Sequence, residues 1–338
     1  MPEQITILGD GQMGLVCASV LAGRGDVGGV TLWGYESKPV LALAQTRVSP
    51  RLPMVTIPER VRVTPDDGAA LRGAGLIVCA VPTQYIRSVL TRVRAHVPKG
   101  AAVISVSKGV EDSTLLRPTQ VVLDALGDGV GERATGVLSG PTIAPELGRC
   151  LPATMVAASE DEGLARRVQA LFTTSWLRIY TSSDPVGVEI AGATKNIIAI
   201  AAGIIDGLQA GYNAKSALLA RGLAEIARLG AAMGARPETF FGIAGVGDLA
   251  TTCFSPEGRN RSCGEALGKG EKLESFLKRT NSVVEGVATT RSVMDLSRRL
   301  GVEMPITAAV HAVLYEGVDP IDAISRLMSR EPKAERVG

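Results

Sequence analysis

One lysine interrupts the most apolar run of the chain. Between Ile190 and Ile205, Lys195 is the only ionisable residue, in a stretch without proline that begins just after Ser183-Asp184-Pro185 and reads as a helix. Desolvation disfavours the ammonium and draws a lysine pKa toward neutrality, which suits a group that transfers protons; the alternative is a lysine that snorkels past small neighbours to water. Further along, Gly245-Val246-Gly247-Asp248 carries an acid into a helix start, and Gly258-Arg259-Asn260 follows within a dozen residues. Asp248 can orient Lys195 or share its proton, or serve only as a helix cap. Arg259 offers the planar fork that suits a phosphate, or a plain surface charge. Lys108, in Ser107-Lys108-Gly109, can hold a phosphate or a carbonyl, or remain a solvated loop lysine.

A second kind of chemistry is written at the start of the chain. The β-prone run Gln4 to Leu8 leads into Gly9-Asp10-Gly11-Gln12-Met13-Gly14 and then into the helical pattern Leu15 to Leu21. Strand, G-x-G-x-x-G and helix form the dinucleotide fingerprint: Gly9 makes the tight turn, Gly11 lets the backbone approach a pyrophosphate, and Gly14 packs helix on strand. The helix N-terminus is left aimed at the anion. The next strand, Val30 to Trp33, ends in Trp33-Gly34-Tyr35 rather than in the acid that would hold the ribose of NAD, and Glu36 lies two positions beyond Gly34. No arginine stands there for the 2′-phosphate of NADP. Trp33 and Tyr35 are expected among the cofactor contacts, and the choice between NAD and NADP stays open.

These groups need elements to hold them. Further strands are expected at Val61 to Val63, Leu76 to Val81, Ala102 to Ser105, Gly136 to Leu138, Ala153 to Ala157 and Leu177 to Tyr180, with helices such as Asp66 to Arg72 and Tyr85 to Ala95 between them. Strands alternating with helices predict an α/β fold, a Rossmann-type doubly wound parallel sheet, over residues 1–183. Its ligands belong beyond the carboxyl ends of the strands, where Ser107-Lys108-Gly109 and Ser139-Gly140-Pro141-Thr142 stand. From residue 184 to 338 β-branched alternation gives way to long helical patterns, at Val186 to Ile205, Ala214 to Met233, after Gly258, Val284 to Leu300 and Pro305 to Tyr315. An all-helical substrate-binding domain is expected there, with Lys195 just past the junction.

Composition narrows the classes. The chain of 338 residues is 46% hydrophobic and 21% charged with a formal net charge of +2, which argues for globular domains and against a nucleic-acid surface. No run reaches ~18 consecutive apolar residues, and Met1-Pro2-Glu3-Gln4 lacks the marks of a signal peptide, so no membrane insertion and a cytoplasmic location are expected. Cys17, Cys79, Cys150, Cys253 and Cys263 are scattered without CxxC pairs, as reduced thiols would be. With His96 and His311 the only histidines, neither a metal site nor a Ser/His/Asp triad is expected.

The fingerprint, Ser107-Lys108-Gly109, Ser139 to Glu146, Ala191 to Gly203, Gly245 to Cys253, Arg259-Asn260, Val283 to Gly286 and Gly301 to Thr307 occur together and in order. In this the chain resembles the bacterial NAD(P)-dependent sn-glycerol-3-phosphate dehydrogenases, from about residue 4 to about residue 328. The resemblance implies interconversion of dihydroxyacetone phosphate, a phosphorylated triose, and sn-glycerol 3-phosphate in support of glycerophospholipid synthesis, and a homodimer. It implies that Lys195 is the proton acceptor or donor, that Lys108, Gly140, Thr142, Asp248, Arg259 and Asn260 touch substrate, and that Ala144, Arg259, Val284 and Glu285 touch cofactor. The chain departs from the family pattern at Gln12-Met13, where Ser and an aromatic are usual, at Gly258, where Ser is usual, and at Tyr35, where many relatives have Arg or His. A ketopantoate-reductase-like enzyme would share the glycine-rich start and the helical lysine but not Gly245 to Cys253 with Arg259-Asn260. A non-catalytic nucleotide sensor would be marked by loss of the lysine or the aspartate, and both are present.

Overall fold

The computed structural model describes residues 3–280, 283–332 and 334–335. The chain divides into two compact units, one of residues 1–107 and 118–185 and one of residues 108–117 and 186–338. The ten residues 108–117 thus group with the helical unit, although they lie within the stretch expected for the sheet.

The sheet unit carries eight strands: β1 (Glu3–Leu8), β2 (Val27–Trp33), β3 (Val61–Thr64), β4 (Ala74–Cys79), β5 (Ala102–Ser105), β6 (Thr135–Ser139), β7 (Ala153–Ala158) and β8 (Leu177–Ser182). Their order is β3-β2-β1-β4-β5-β6-β7-β8, and every neighbouring pair is parallel except β6 with β7. That antiparallel pair departs from the wholly parallel sheet the sequence suggests. The link from β6 to β7 contains only the short helix Ala144–Gly148, and β7 enters from the end at which β6 left. Chain order reverses at β1, whose neighbours are β2 and β4, so the switch point lies between β1 and β4. The central strands are buried on both faces: Ile7, Leu8, Leu76, Ile77 and Val78 are almost wholly inaccessible, as strands covered by helices on either side require.

The helical unit has its own core, centred on the helix Pro185–Gly207. This helix is long and apolar enough to cross a membrane, yet 94% of its most apolar window is buried within the protein, as in the core helix of a bundle. Close packing against the helix Arg259–Gly268 depends on glycine at the crossing. A Cβ on Gly203 would come within 1.9 Å of the Arg261 carbonyl oxygen, and one on Gly264 within 1.9 Å of that of Ile200. Asp206 ties the same crossing with ion pairs to Arg261 at 2.7 Å and Lys215 at 2.8 Å. The start of the Arg259–Gly268 helix, with Arg259 and Asn260, is thereby held against the helix that carries Lys195.

Candidate active site

In the sheet unit the fingerprint has the geometry its glycines allow. Gly9 has φ +115°, and its Cα lies so near the end of β4 that a Cβ would meet the Ala80 oxygen at 2.7 Å. Gly14 would clash with the Gly9 carbonyl at 1.9 Å, whereas a Cβ on Gly11 would meet nothing within 4 Å. The backbone at Gly11 is open, and no acid occupies the first turn of the helix Gln12–Ala22, whose N–H groups face an incoming anion there. These residues fit a dinucleotide pyrophosphate. Met13 packs on the core and Gln12 donates to the Arg51 carbonyl at 2.8 Å.

The end of β2 has neighbours that its own sequence does not contain. Two arginines reach this region from outside the β2 turn. Arg51 pairs with Asp10 of the fingerprint at 2.8 Å, and Arg92 lies 5.2 Å from the Trp33 ring centre and 4.8 Å from that of Tyr35. Arg92 also donates to the Tyr35 carbonyl at 3.3 Å while Asp67 holds it through two 2.9 Å hydrogen bonds. Neither was visible locally, because one comes from a bend after the next helix and the other from the helix Thr83–Val93. Trp33 is 0% exposed and bonds Asp67 through its ring N–H, so its backbone carbonyl, which accepts from Gly9, is its link to the fingerprint. Tyr35 is exposed. Gly140, Thr142 and Ala144 lie at the end of β6 and the start of the short helix after it, with the Thr142 hydroxyl donating to the Gly140 carbonyl at 3.1 Å.

The helical unit gathers the charged groups. Lys195 is 5% exposed and Asp248 0%, and the two meet at 2.5 Å through Nζ and Oδ1. Oδ2 of the same aspartate takes Lys108 Nζ at 2.6 Å, so one carboxylate bridges two ammonium groups. The Thr252 hydroxyl also lies within hydrogen-bond reach of Lys195 Nζ and donates to the Asp248 carbonyl at 2.7 Å. Burial brings the Lys195 pKa down from 10.5 to about 8; the Asp248 charge opposes this and the Lys108 charge adds to it. Asp248 is aimed by an unusual turn, since residues Ile243–Gly247 form a π-helical turn that runs straight into the helix Asp248–Phe254.

Arg259 donates to the Val283 carbonyl at 3.0 Å, and among the described residues its fork keeps further N–H groups for a ligand. Asn260 accepts from the Gly286 N–H at 2.9 Å, which fixes the amide. Gly258 precedes both as the residue flanking the helix start. Val284 is buried, and Glu285 opens the helix Glu285–Leu300; burial raises its carboxyl pKa while Arg259, Lys108 and Lys195 pull it down. Lys108, Lys195, Asp248, Arg259 and Glu285 therefore share one electrostatic neighbourhood. Thr252 was not singled out in the sequence, although its place one turn after Asp248 on the same helix face was the available sign.

Two family profiles cover this chain. The N-terminal domain of NAD-dependent glycerol-3-phosphate dehydrogenase matches residues 4–165, and the C-terminal domain matches residues 184–325. The chain belongs to the NAD-dependent glycerol-3-phosphate dehydrogenase family. Within it, a glycerol-3-phosphate dehydrogenase [NAD(P)+] of Salinibacter ruber is 47% identical over 336 residues, covering 99% of this chain and 97% of the relative. The crystal structure of a glycerol-3-phosphate dehydrogenase from Coxiella burnetii superposes with a TM-score of 0.92 at 36% identity, covering 97% of this chain and 99% of that one. A ketopantoate reductase from Ralstonia eutropha, at 16% identity and a TM-score of 0.61, shares the fold alone.

Proposed function

We propose that this dehydrogenase, which uses NAD(P), interconverts sn-glycerol 3-phosphate and dihydroxyacetone phosphate with Lys195 as the proton-transferring group. The observation that carries this assignment is a buried lysine with its pKa brought to about 8, held between Asp248 and the Thr252 hydroxyl with a second ammonium beside it. Such a lysine exchanges its proton near neutral pH, as a general acid or base should. Bound at the fingerprint, the dinucleotide supplies or accepts the hydride at the substrate C2.

In the oxidising direction neutral Lys195 takes the C2 hydroxyl proton, so kcat rises with pH through about 8. In the reducing direction its ammonium gives that proton to the forming alkoxide, so kcat falls above the same pH. Lys108 stabilises charge on the oxygen, and Asp248 orients both amines. Arg259 and Asn260 grip the phosphate, assisted by contacts from Gly140 and Thr142, while Ala144, Val284 and Glu285 meet the cofactor. The product serves glycerophospholipid synthesis in the cytoplasm, and the enzyme works as a homodimer.

Initial rates of NADH and NADPH oxidation with dihydroxyacetone phosphate and with ketopantoate test the reading. Turnover of the triose phosphate is expected, with a KM raised about tenfold or more in Arg259→Ala. Activity with ketopantoate alone, or an unchanged KM in that variant, overturns it.

A further inference from the structure

Lys108 is not carried by a helix or a strand. It opens residues 108–117, a segment without regular structure that has left-handed backbone at Ser113 (φ 70°) and Leu115 (φ 59°). Ten residues of that kind do not by themselves hold an ammonium within 2.6 Å of a chosen carboxylate. The helical unit supplies the constraint. Val110 is fully buried in its core, Glu111 takes the Thr114 hydroxyl at 2.5 Å, and Asp112 accepts from the Ser292 hydroxyl. At the far end Arg117 pairs with Glu189, whose side chain is 0% exposed against 12% for the arginine. Glu189 belongs to the helix Pro185–Gly207, the helix that carries Lys195.

We propose that residues 108–117 form a strap whose Arg117–Glu189 ion pair and Asp112–Ser292 contact set the place of the Lys108 ammonium against Asp248, which makes Arg117 and Glu189 positioning residues for the reaction. The strap ties both amines to a single helix, one directly and one through the ion pair. Loosening the strap frees Lys108 to swing toward water while leaving Lys195 on its helix. The inference rests on the proposed part of Lys108 and Lys195 at the substrate oxygen.

The titratable and charged groups around Lys195 among the described residues are Asp248 and the neutral Cys253 thiol on one helix, Lys108 on the strap, and Glu285 with its partner Arg259 at the starts of two others. Of these only Lys108 is carried by the strap. Because the Lys108 charge disfavours a second charge nearby, its departure raises the pKa of Lys195. The strap therefore has a signature that a loss of stability does not share.

Arg117→Met with Glu189→Leu removes both charges together, which spares the protein a lone buried carboxylate. This double variant is expected to lose about tenfold in kcat, with the kcat inflection moved above its wild-type pH and dinucleotide binding, read by nucleotide fluorescence, unchanged. Arg117→Lys, which keeps the ion pair, restores most of the rate. In a Lys108→Met background the double substitution changes kcat less than about twofold, since the amine it positions is gone. Should the double variant not fold, Asp112→Ala on the more exposed side of the strap carries the same comparison with a smaller loss. Wild-type turnover in the strap variants, an unmoved inflection, or losses that multiply with Lys108→Met overturn the strap. Normal turnover in Lys108→Met itself instead overturns the part given to Lys108.

Discussion

Asp248 and Glu225 are both carboxylates buried in the helical unit, and they are satisfied by opposite means. Asp248 sits between two ammonium groups, Lys195 at 2.5 Å and Lys108 at 2.6 Å. Glu225, 2% exposed on the helix Gly211–Ala232, has no ammonium against it among the described residues; it accepts from the N–H of Ile306 at 2.5 Å and from the N–H and hydroxyl of Thr307 at 3.2 Å each, at the start of the helix Pro305–Tyr315. Burial pushes its pKa from 4.5 up to about 7, with those hydrogen bonds and Arg228 only partly opposing. Two cations make one buried carboxylate the common anchor of two amines. Backbone N–H groups make the other a joint between helices, and burial, which they only partly offset, penalises its ionised form.

The comparison breaks most visibly at Lys195. Lys195→Ala leaves Asp248 with one cation and removes the proposed proton carrier, so kcat should fall at least ~10²-fold with nucleotide binding retained. Steady-state rates beside a nucleotide fluorescence titration check this, and near-normal turnover would end the assignment.

Asp248→Asn keeps the shape and removes the charge that bridges the amines. Loss of its attraction lets burial and Lys108 act on Lys195 unopposed, so the kcat inflection should move below about 8. The rate itself should drop roughly tenfold as the amines lose their common anchor. An inflection that stays in place would show that Asp248 does not set the charge state of Lys195.

The two carboxylates also differ in how readable they were in the sequence. Asp248 stood out because a lone acid follows a glycine-rich turn, and Lys195 because it interrupts an apolar helix; both patterns are local. The eight strands were equally legible, since runs such as Leu76 to Cys79 are apolar from end to end, with errors of at most three residues at their ends. Glu225 lies on an amphipathic helix among other charges, and nothing near it in sequence announces Ile306 and Thr307 some eighty residues on. Separations of 57 and 72 residues likewise hid Arg92 from the β2 turn and Glu189 from Arg117. Local periodicity reports which residues are buried, whereas the partner of a buried charge is a long-range fact.

Glu225→Gln tests the other side of the comparison. The unfolded carboxyl titrates near 4.5 and the folded one near 7, so the native state binds more protons between those values. Stability from this group is therefore highest at low pH, falls as pH rises from about 4.5 to 7, and levels off above. The span amounts to roughly 3 kcal/mol for one fully buried group. Urea unfolding at pH 5 and pH 8 should show the loss in wild type and its absence in Glu225→Gln, with kcat unchanged. An equal slope in both proteins would mean that Glu225 does not titrate in this range.

Thr252→Val should give the smallest effect and the sharpest reading of the lysine site. The hydroxyl accepts from Lys195 and donates to the Asp248 carbonyl one turn back, so it aims the amine without adding charge. Valine keeps the shape and removes the acceptor. Loss of a neutral hydrogen bond to a charged donor predicts a drop in kcat of about three- to tenfold, with the inflection lowered slightly because the ammonium loses a partner. A drop as large as that of Asp248→Asn would place the aiming of Lys195 in the hydroxyl rather than in the carboxylate, and the contrast between charged and neutral partners would fail at the site where it was drawn.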